Sequence, residues 1–241
     1  MDQDIVAELA PTGSLRAGIN MANMLLVTGE RDNGDPDGVS PDMAEEIAGR
    51  LGVPVTYVPY ASPGEVGDAA GRDEWDIALI AAEPSRAEIM SFTTAYVEIE
   101  GTYLVPEGSP LKTVEQVDSP GVRIAAMARS AYDLYLTRTL QHAELVRTET
   151  IGGSFEFFRD EGLDALAGLR PALINNAAEM PGSVVLDGRY TSIQQALATK
   201  KKNAKAAVWL QDFVDEVNKD GLPGRLIDKH GVTGRLMPVA V

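Results

Sequence analysis

Between Leu15 and Ala82, short apolar runs alternate with segments of helical period, and this alternation is the tightest constraint on what the chain can fold into. Leu15-Arg16-Ala17-Gly18-Ile19 reads as a first strand, followed by a loop through Asn20 and Asn23 and the turn-rich stretch 29–38. Ser40-Pro41 opens a helix in which Met43, Ala44, Ile47, Ala48 and Leu51 recur on one face, with Ser40 as the expected cap and Gly52 as the stop. Residues 53–58 read as a second strand, 63–71 as a weaker, Gly-containing helix and 76–82 as a third strand. A βαβαβ unit of this kind predicts a parallel sheet.

After Phe92 the pattern changes. Tyr96-Val97-Glu98-Ile99-Glu100-Gly101-Thr102-Tyr103-Leu104-Val105 alternates like one long extended segment, read here as a crossover between lobes. Residues 106–110 form a turn and 113–117 a short helical piece. Val122-Arg123-Ile124-Ala125-Ala126-Met127 then restarts the strand–helix alternation. A helix over 131–140 places Tyr132, Tyr135, Leu136, Thr139 and Leu140 on one face, and Ser130/Asp133 matches a capping box. A strand at 145–147, a helix at 154–160 ended by Gly162, a strand at 163–169 and a helix at 171–179 follow. A second extended stretch, 184–199, returns the chain to the first lobe, which helices 205–218 and 222–229 close. The expectation is therefore an α/β protein of two lobes joined by two crossovers: 1–104 with 192–241, and 105–191. Open sheets of this type bind ligands at the carboxyl ends of their strands.

Composition narrows the partners. With 21 Lys+Arg against 36 Asp+Glu the formal charge is -15, which argues against nucleic acid or an anionic membrane as the main partner. Any anion site must be a local positive island. The absence of cysteine removes disulfides, thiolate metal sites and cysteine nucleophiles. No apolar run approaches the roughly 18 residues of a membrane span. Met1-Asp2-Gln3-Asp4 is not a basic signal-peptide start, so the expectation is either a cytosolic protein or a mature form to which Met1 was added.

Three arginines sit at strand-to-helix junctions. Trp75-Asp76-Ile77-Ala78-Leu79-Ile80-Ala81-Ala82-Glu83-Pro84-Ser85-Arg86 runs from a strand into a short helix expected over 84–89, which places Arg86 in its opening turn. A cation at the positive end of a helix dipole is misplaced unless an anion joins it, and N–H donors with a guanidinium suit a carboxylate or phosphate. The competing reading has Arg86 facing solvent or pairing with Glu83 or Glu88. Arg129 follows the strand ending at Met127, and Arg170 follows Leu169 and precedes Pro171. Arg86 from one lobe and Arg129 with Ser130 from the other form a candidate carboxylate clamp.

The order of Leu15-Arg16-Ala17-Gly18-Ile19, Gly38-Val39-Ser40-Pro41-Asp42-Met43-Ala44, Trp75-Asp76-Ile77-Ala78, Arg86, Phe92-Thr93-Thr94-Ala95-Tyr96 and Gly121-Val122-Arg123-Ile124-Ala125 resembles the polar-amino-acid family of bacterial periplasmic solute-binding proteins. The resemblance covers nearly the whole chain. It implies a two-lobed type II periplasmic-binding-protein fold, a hinge of two crossover strands, ligand capture by lobe closure, and delivery to an ABC-transporter permease in the inner membrane. It also implies a periplasmic, monomeric protein without cofactor or metal, whose signal peptide is not in this sequence. By the same resemblance Arg86 matches the arginine that grips a ligand α-carboxylate, Ser130 and Ala131 match the loop that completes the grip, and Asn20 to Met24, with Asn23, wall the side-chain pocket. Two departures stand out. The serine- and threonine-rich loop before the arginine is replaced by Ala81-Ala82-Glu83-Pro84, and the acidic residue expected near Leu169-Arg170 is absent. Arg170 then suggests a second anionic group on the ligand, or a carboxylate without an amine, while Glu83 offers an alternative ammonium partner.

Other signals carry less. Asp32, Asp35 and Asp37 beside Gly34 and Gly38 lack calcium-loop spacing and read as a solvated turn. His142 and His230 read as surface residues. Tyr132, Tyr96 and Met24 are candidate pocket-lining side chains. Hydrolase, nucleotide-binding and zinc-peptidase motifs are absent from the sequence. The leading expectation is a non-catalytic receptor for a small carboxylate, amino acid or organic acid. The alternative is a cyclohexadienyl dehydratase-like enzyme on the same fold, with Glu83 as the general acid.

Overall fold

The computed structural model describes residues 2–239, and Met1, read above as an added start residue, lies outside them. Two compact units are present: the chain up to Glu98 together with the chain from Gln194 onward, and Ile99–Ile193.

The first unit begins with α1 (Gln3–Leu9) and β1 (Leu15–Asn20), followed by the hairpin strands β2 (Gly29–Glu30) and β3 (Pro36–Asp37). Then come α2 (Val39–Leu51), β4 (Val55–Tyr60), α3 (Pro63–Ala69), β5 (Ile77–Ala81), α4 (Pro84–Ala87) and the start of β6 (Met90–Val105). β1 is the middle of a parallel trio, with Leu15 opposite Val55 and Ala17 opposite Ile77, so the expected parallel sheet is formed. Trp75 anchors it. Its indole donates to Val66 O at 3.0 Å, and its ring lies so close to Gly18 that a Cβ there would stand 3.1 Å away. Tyr60, Val66, Ala78, Ile80 and Met90 complete this part of the core.

α2 starts one residue before the expected cap. Gly38 occupies the cap position at φ +148, and Ser40 lies inside the helix, its hydroxyl 2.9 Å from that of Tyr96. The stop at Gly52 is as read, in the left-handed conformation that glycine adopts without Cβ strain. α1 was not foreseen. Asp2 caps it, and Glu8 accepts from Ala206 N at 2.7 Å.

The second unit contains a 3₁₀ turn (Val114–Val117), β7 (Arg123–Met127), α5 (Ala131–Thr139), β8 (Glu144–Thr148), α6 (Ile151–Asp160), β9 (Ala165–Leu169), α7 (Arg170–Glu179) and β10 (Val184–Val185). β7 pairs in parallel with both β8 and β9. Residues 99–104, expected in the first lobe, belong here: Gly101, Thr102, Tyr103 and Leu104 pair antiparallel with β9. Phe155, Phe158, Leu163, Leu166 and Leu173 pack beneath the sheet. α6 starts earlier than its apolar residues suggest because Thr150 caps it, accepting from Gly153 N at 2.9 Å.

The chain then runs through β11 (Thr191–Lys200), α8 (Ala204–Asp220), α9 (Leu222–Lys229) and β12 (Met237–Pro238). The second extended stretch is thus broken between β10 and β11, where Gly188 adopts φ +76. From Gln195 onward β11 pairs antiparallel with β5. Among the described residues, no helix is long and apolar enough to cross a membrane.

Candidate functional site

In the first unit, β1, β4 and β5 end at Asn20, Tyr60 and Ala81, on the side where open parallel sheets present ligand groups. Every residue of β5 is buried, so the strand fixes the height at which the following loop emerges. Ala82 N donates to Gln194 O at 2.9 Å. Glu83 and Arg86 are both buried, 8% and 6% exposed, and Arg86 Nη1 donates to Ala81 O at 2.8 Å. α4 has only four residues, ending at Ala87 rather than Ile89 as expected. So short a helix has little macrodipole, which removes the electrostatic reason given above for an anion at Arg86; what the structure shows is a guanidinium held inside the protein at a strand end. Burial also rules out the solvent-facing reading.

Asn20 and Asn23 use their side-chain oxygens locally, accepting from Ala22 N and Leu25 N, both at 3.2 Å, in turns that shape their loop. Met24 is 78% exposed and Met21 and Ile89 are also exposed, so this edge of the unit shows apolar side chains. Tyr96, a candidate for lining a pocket, is fully buried, its hydroxyl 2.9 Å from that of Ser40.

In the second unit, β7, β8 and β9 end at Met127, Thr148 and Leu169, and α5, α6 and α7 begin within four residues of those ends. Arg129 takes a left-handed backbone, φ 62, and its N–H donates to Asp133 Oδ2 at 2.7 Å. Ser130 caps α5, accepting from Asp133 N at 3.1 Å. Half of the expected capping box forms; Asp133 turns to Arg129 N and to Arg147 Nε, 2.8 Å away, instead. Ser130, Ala131 and Tyr132 are buried, whereas the Arg129 side chain is exposed. Burial pushes the Tyr132 hydroxyl up to about 12, against hydrogen bonding with Ser130 and the Met127 backbone, so it is neutral at physiological pH.

Arg170 is placed differently from its expected role. Its Nε donates to Glu100 Oε2 at 2.6 Å, and Nη1 to Leu186 O at 3.3 Å. A second anionic group on a ligand would have to compete with Glu100 for this guanidinium.

Two features escaped the sequence reading. His230 is not a surface residue: its side chain is 4% exposed, with Nε2 2.7 Å from Asp42 Oδ2. Asp37, Asp42 and His230 bring ligand atoms within 4.8 Å of one another, a grouping with metal-ligand chemistry. Lys229 at 2.6 Å and Arg31 at 2.7 Å already hold the Asp42 carboxylate, which makes the cluster an ion-pair hub. Histidine and aspartate 188 positions apart leave no local spacing to read. The second feature is a cavity of about 30 Å³ at the β9 end, lined by Tyr132, Ile151, Ser154, Leu169, Ala172 and Asn176 among others. Ile151 at the start of α6 was the missed signal.

A parallel trio in each unit, with candidate groups at the strand ends, defines a binding protein of the type II periplasmic fold. Residues 16–233 match the family described as bacterial extracellular solute-binding proteins, family 3, and the chain belongs to that family. Similar solved structures include a mutant of ArgBP from T. maritima, 21% identical over 94% of this chain and 99% of that one, with a TM-score of 0.75. Another is the ancestral amino acid-binding protein AncCDT-1, a precursor of cyclohexadienyl dehydratase (23%, 93% and 98%, TM-score 0.73). A third is an ancestral arginine-binding protein bound to glutamine (19%, 91% and 98%, TM-score 0.72). No curated protein sequence matches the chain.

Proposed function

We propose that this protein is an extracytoplasmic, periplasmic receptor that captures a small carboxylate-bearing solute, an amino acid or organic acid, and delivers it to the permease of an ABC importer. The observation that carries the proposal is Arg86, a buried guanidinium at the carboxyl end of a parallel strand in a chain of solute-binding family 3. The proposed role of Arg86 is to anchor the ligand carboxylate. Ser130, Ala131 and Tyr132 are proposed as further ligand contacts, and capture by lobe closure is part of the same proposal. Charge-assisted bonds of about 1.5 to 3 kcal/mol each bring micromolar affinity, about 8 kcal/mol, within reach of two or three such bonds plus apolar contact. The amino-acid ligands named for the similar structures support the ligand class.

A thermal-shift screen of amino acids, small carboxylates and phosphate esters tests this, because a bound ligand raises the melting point with its excess over Kd. A carboxylate is expected to stabilise the wild type and to have no effect on Arg86→Ala. Undiminished binding by that variant would contradict the assignment. Glu83, buried in the same loop, favours one second reading, a cyclohexadienyl dehydratase in which it serves as general acid. Loss of prephenate absorbance on mixing would establish that reading, and a constant absorbance would eliminate it.

A further inference from the structure

His230, one of two histidines in the chain, holds the C-cap position of α9, and its imidazole lies between α2 and the β2–β3 hairpin. The contact with α2 sets its chemistry. Arg31 Nη2 binds Asp42 Oδ1 at 2.7 Å and Lys229 Nζ binds Oδ2 at 2.6 Å, so Asp42 is ionised, and an ionised carboxylate only accepts hydrogen bonds. The 2.7 Å contact between Asp42 Oδ2 and His230 Nε2 therefore needs a proton on Nε2. In the neutral ring the lone pair is then on Nδ1.

Nδ1 faces the hairpin. Thr28 Oγ1 stands 3.5 Å away, beyond an ordinary hydrogen bond, and Asp37 Oδ2 stands 3.8 Å away. Two ligand atoms each about 2.1 Å from one zinc ion are about 3.4 Å apart at the tetrahedral angle, so an ion shared by Nδ1 and Asp37 Oδ2 asks for a shift of only about 0.4 Å. Arg31 is on the other side of this carboxylate, its Nε 3.5 Å from Asp37 Oδ1. The backbone that carries Asp37 is held in place: Thr28 N donates to Asp37 O at 2.8 Å, and Gly38, next along the chain, packs against Leu26. The Asp37 side chain is 39% exposed, which gives an entry path and room for water to complete a coordination shell beside the buried imidazole.

Asp42 has the place of the outer carboxylate in carboxylate–histidine–metal arrangements, which fixes the tautomer and raises the basicity of the ligating nitrogen. Its partnership with Arg31 and Lys229 suits that role better than direct ligation. Asp37, Asp42 and Glu45 outnumber Arg31 and Lys229 here, in a chain whose net charge of -15 draws cations at long range.

We infer that His230 Nδ1 and the Asp37 carboxylate form a binding site for a divalent transition metal of the zinc class, with Asp42 as the residue that orients the imidazole. Imidazole ligation favours zinc, nickel or copper over magnesium and calcium, which prefer all-oxygen sites. A metal there joins the end of α9 to the hairpin and fastens the first unit without using Arg86.

Calorimetry with zinc chloride tests it. One zinc ion per chain is expected, bound about tenfold or more tightly than magnesium or calcium, with a melting point that rises with zinc and falls back on adding EDTA. Asp37→Asn, at a partly exposed position, and Asp42→Asn are each expected to weaken zinc about tenfold to a hundredfold, and His230→Gln to abolish binding. His142→Gln changes the exposed histidine of the second unit and is expected to leave zinc affinity unchanged. On the unaltered protein, imidazole ¹⁵N NMR is expected to show His230 protonated at Nε2 and its Nδ1 signal moved by zinc, a readout that does not depend on a variant folding. Absence of zinc binding, its loss in His142→Gln, or a spectral change confined to His142 would overturn the inference. Undiminished affinity in Asp37→Asn would overturn it as well, and undiminished affinity in Asp42→Asn would overturn the orienting role.

Discussion

At the scale of single residues, the groups that position the candidate site are buried charges with dense partnerships. Asp76, fully buried just before β5, accepts from Arg16 N at 3.1 Å, Arg16 Nε at 2.9 Å and Arg16 Nη2 at 2.7 Å, with Lys200 Nζ at 3.4 Å. Removing one partner of such a pair leaves uncompensated charge, so Asp76→Ala is expected to cost about 3 to 5 kcal/mol in urea unfolding. A loss below about 1 kcal/mol would show that the pair is no better than a surface one. Asp42 makes a pH prediction. Burial opposes its charge, but hydrogen bonds from Lys229 and His230 prevail and hold the carboxyl below its ordinary value. A folded pKa below the unfolded one gives stability that is complete above the unfolded value, about 3.9, and lost as pH falls through the folded value. Asp42→Asn should therefore be less stable than wild type at neutral pH and lose less on acidification from about pH 5 to pH 2, as followed by chemical unfolding. Parallel acid limbs for the two proteins would refute this. The three junction arginines were legible as residues, yet their fates were not: Arg86 is buried, Arg129 exposed and Arg170 ion-paired with Glu100, a partner 70 positions away that no local spacing shows.

At the scale of elements, strand and helix order followed closely from hydrophobic period and Gly or Pro punctuation, as in β1, α2 and β5. What failed were boundaries fixed by one side-chain bond. Ser40 looked like a cap, but its hydroxyl meets Tyr96 and Gly38 takes the cap position. Gly38 sits there because a Cβ would lie 2.3 Å from Leu26 O, on top of a positive φ. Gly38→Ala is accordingly expected to destabilise the first unit by about 3 kcal/mol or more, measured by urea unfolding, combining steric overlap with backbone strain. A variant within about 0.5 kcal/mol of wild type would mean that the loop between Leu26 and α2 shifts freely. The cavity wall was legible only in hindsight, since Leu169 is noticed as a poor cap once α7 is known to begin at Arg170.

At the scale of the whole molecule, a chain of net charge -15 repels small anions at long range, and the buried guanidinium of Arg86 at a strand end is the local positive group proposed to capture one. Membership of solute-binding family 3 gives that place a biological setting. The crossovers were legible in the alternation of 96–105 and 184–199, whereas the residues at which the units divide, Glu98 and Ile193, were not, because both strands run on without a Pro or Gly break there. The carboxylate anchor is tested most directly on the unaltered protein by changing the ligand. Calorimetry should compare each of the standard amino acids and their 2-oxo acids with the corresponding methyl esters. Loss of the ligand's charge removes its charge-assisted bonds, so the best binder is expected to weaken about a hundredfold as its ester; equal affinity of acid and ester would contradict the account.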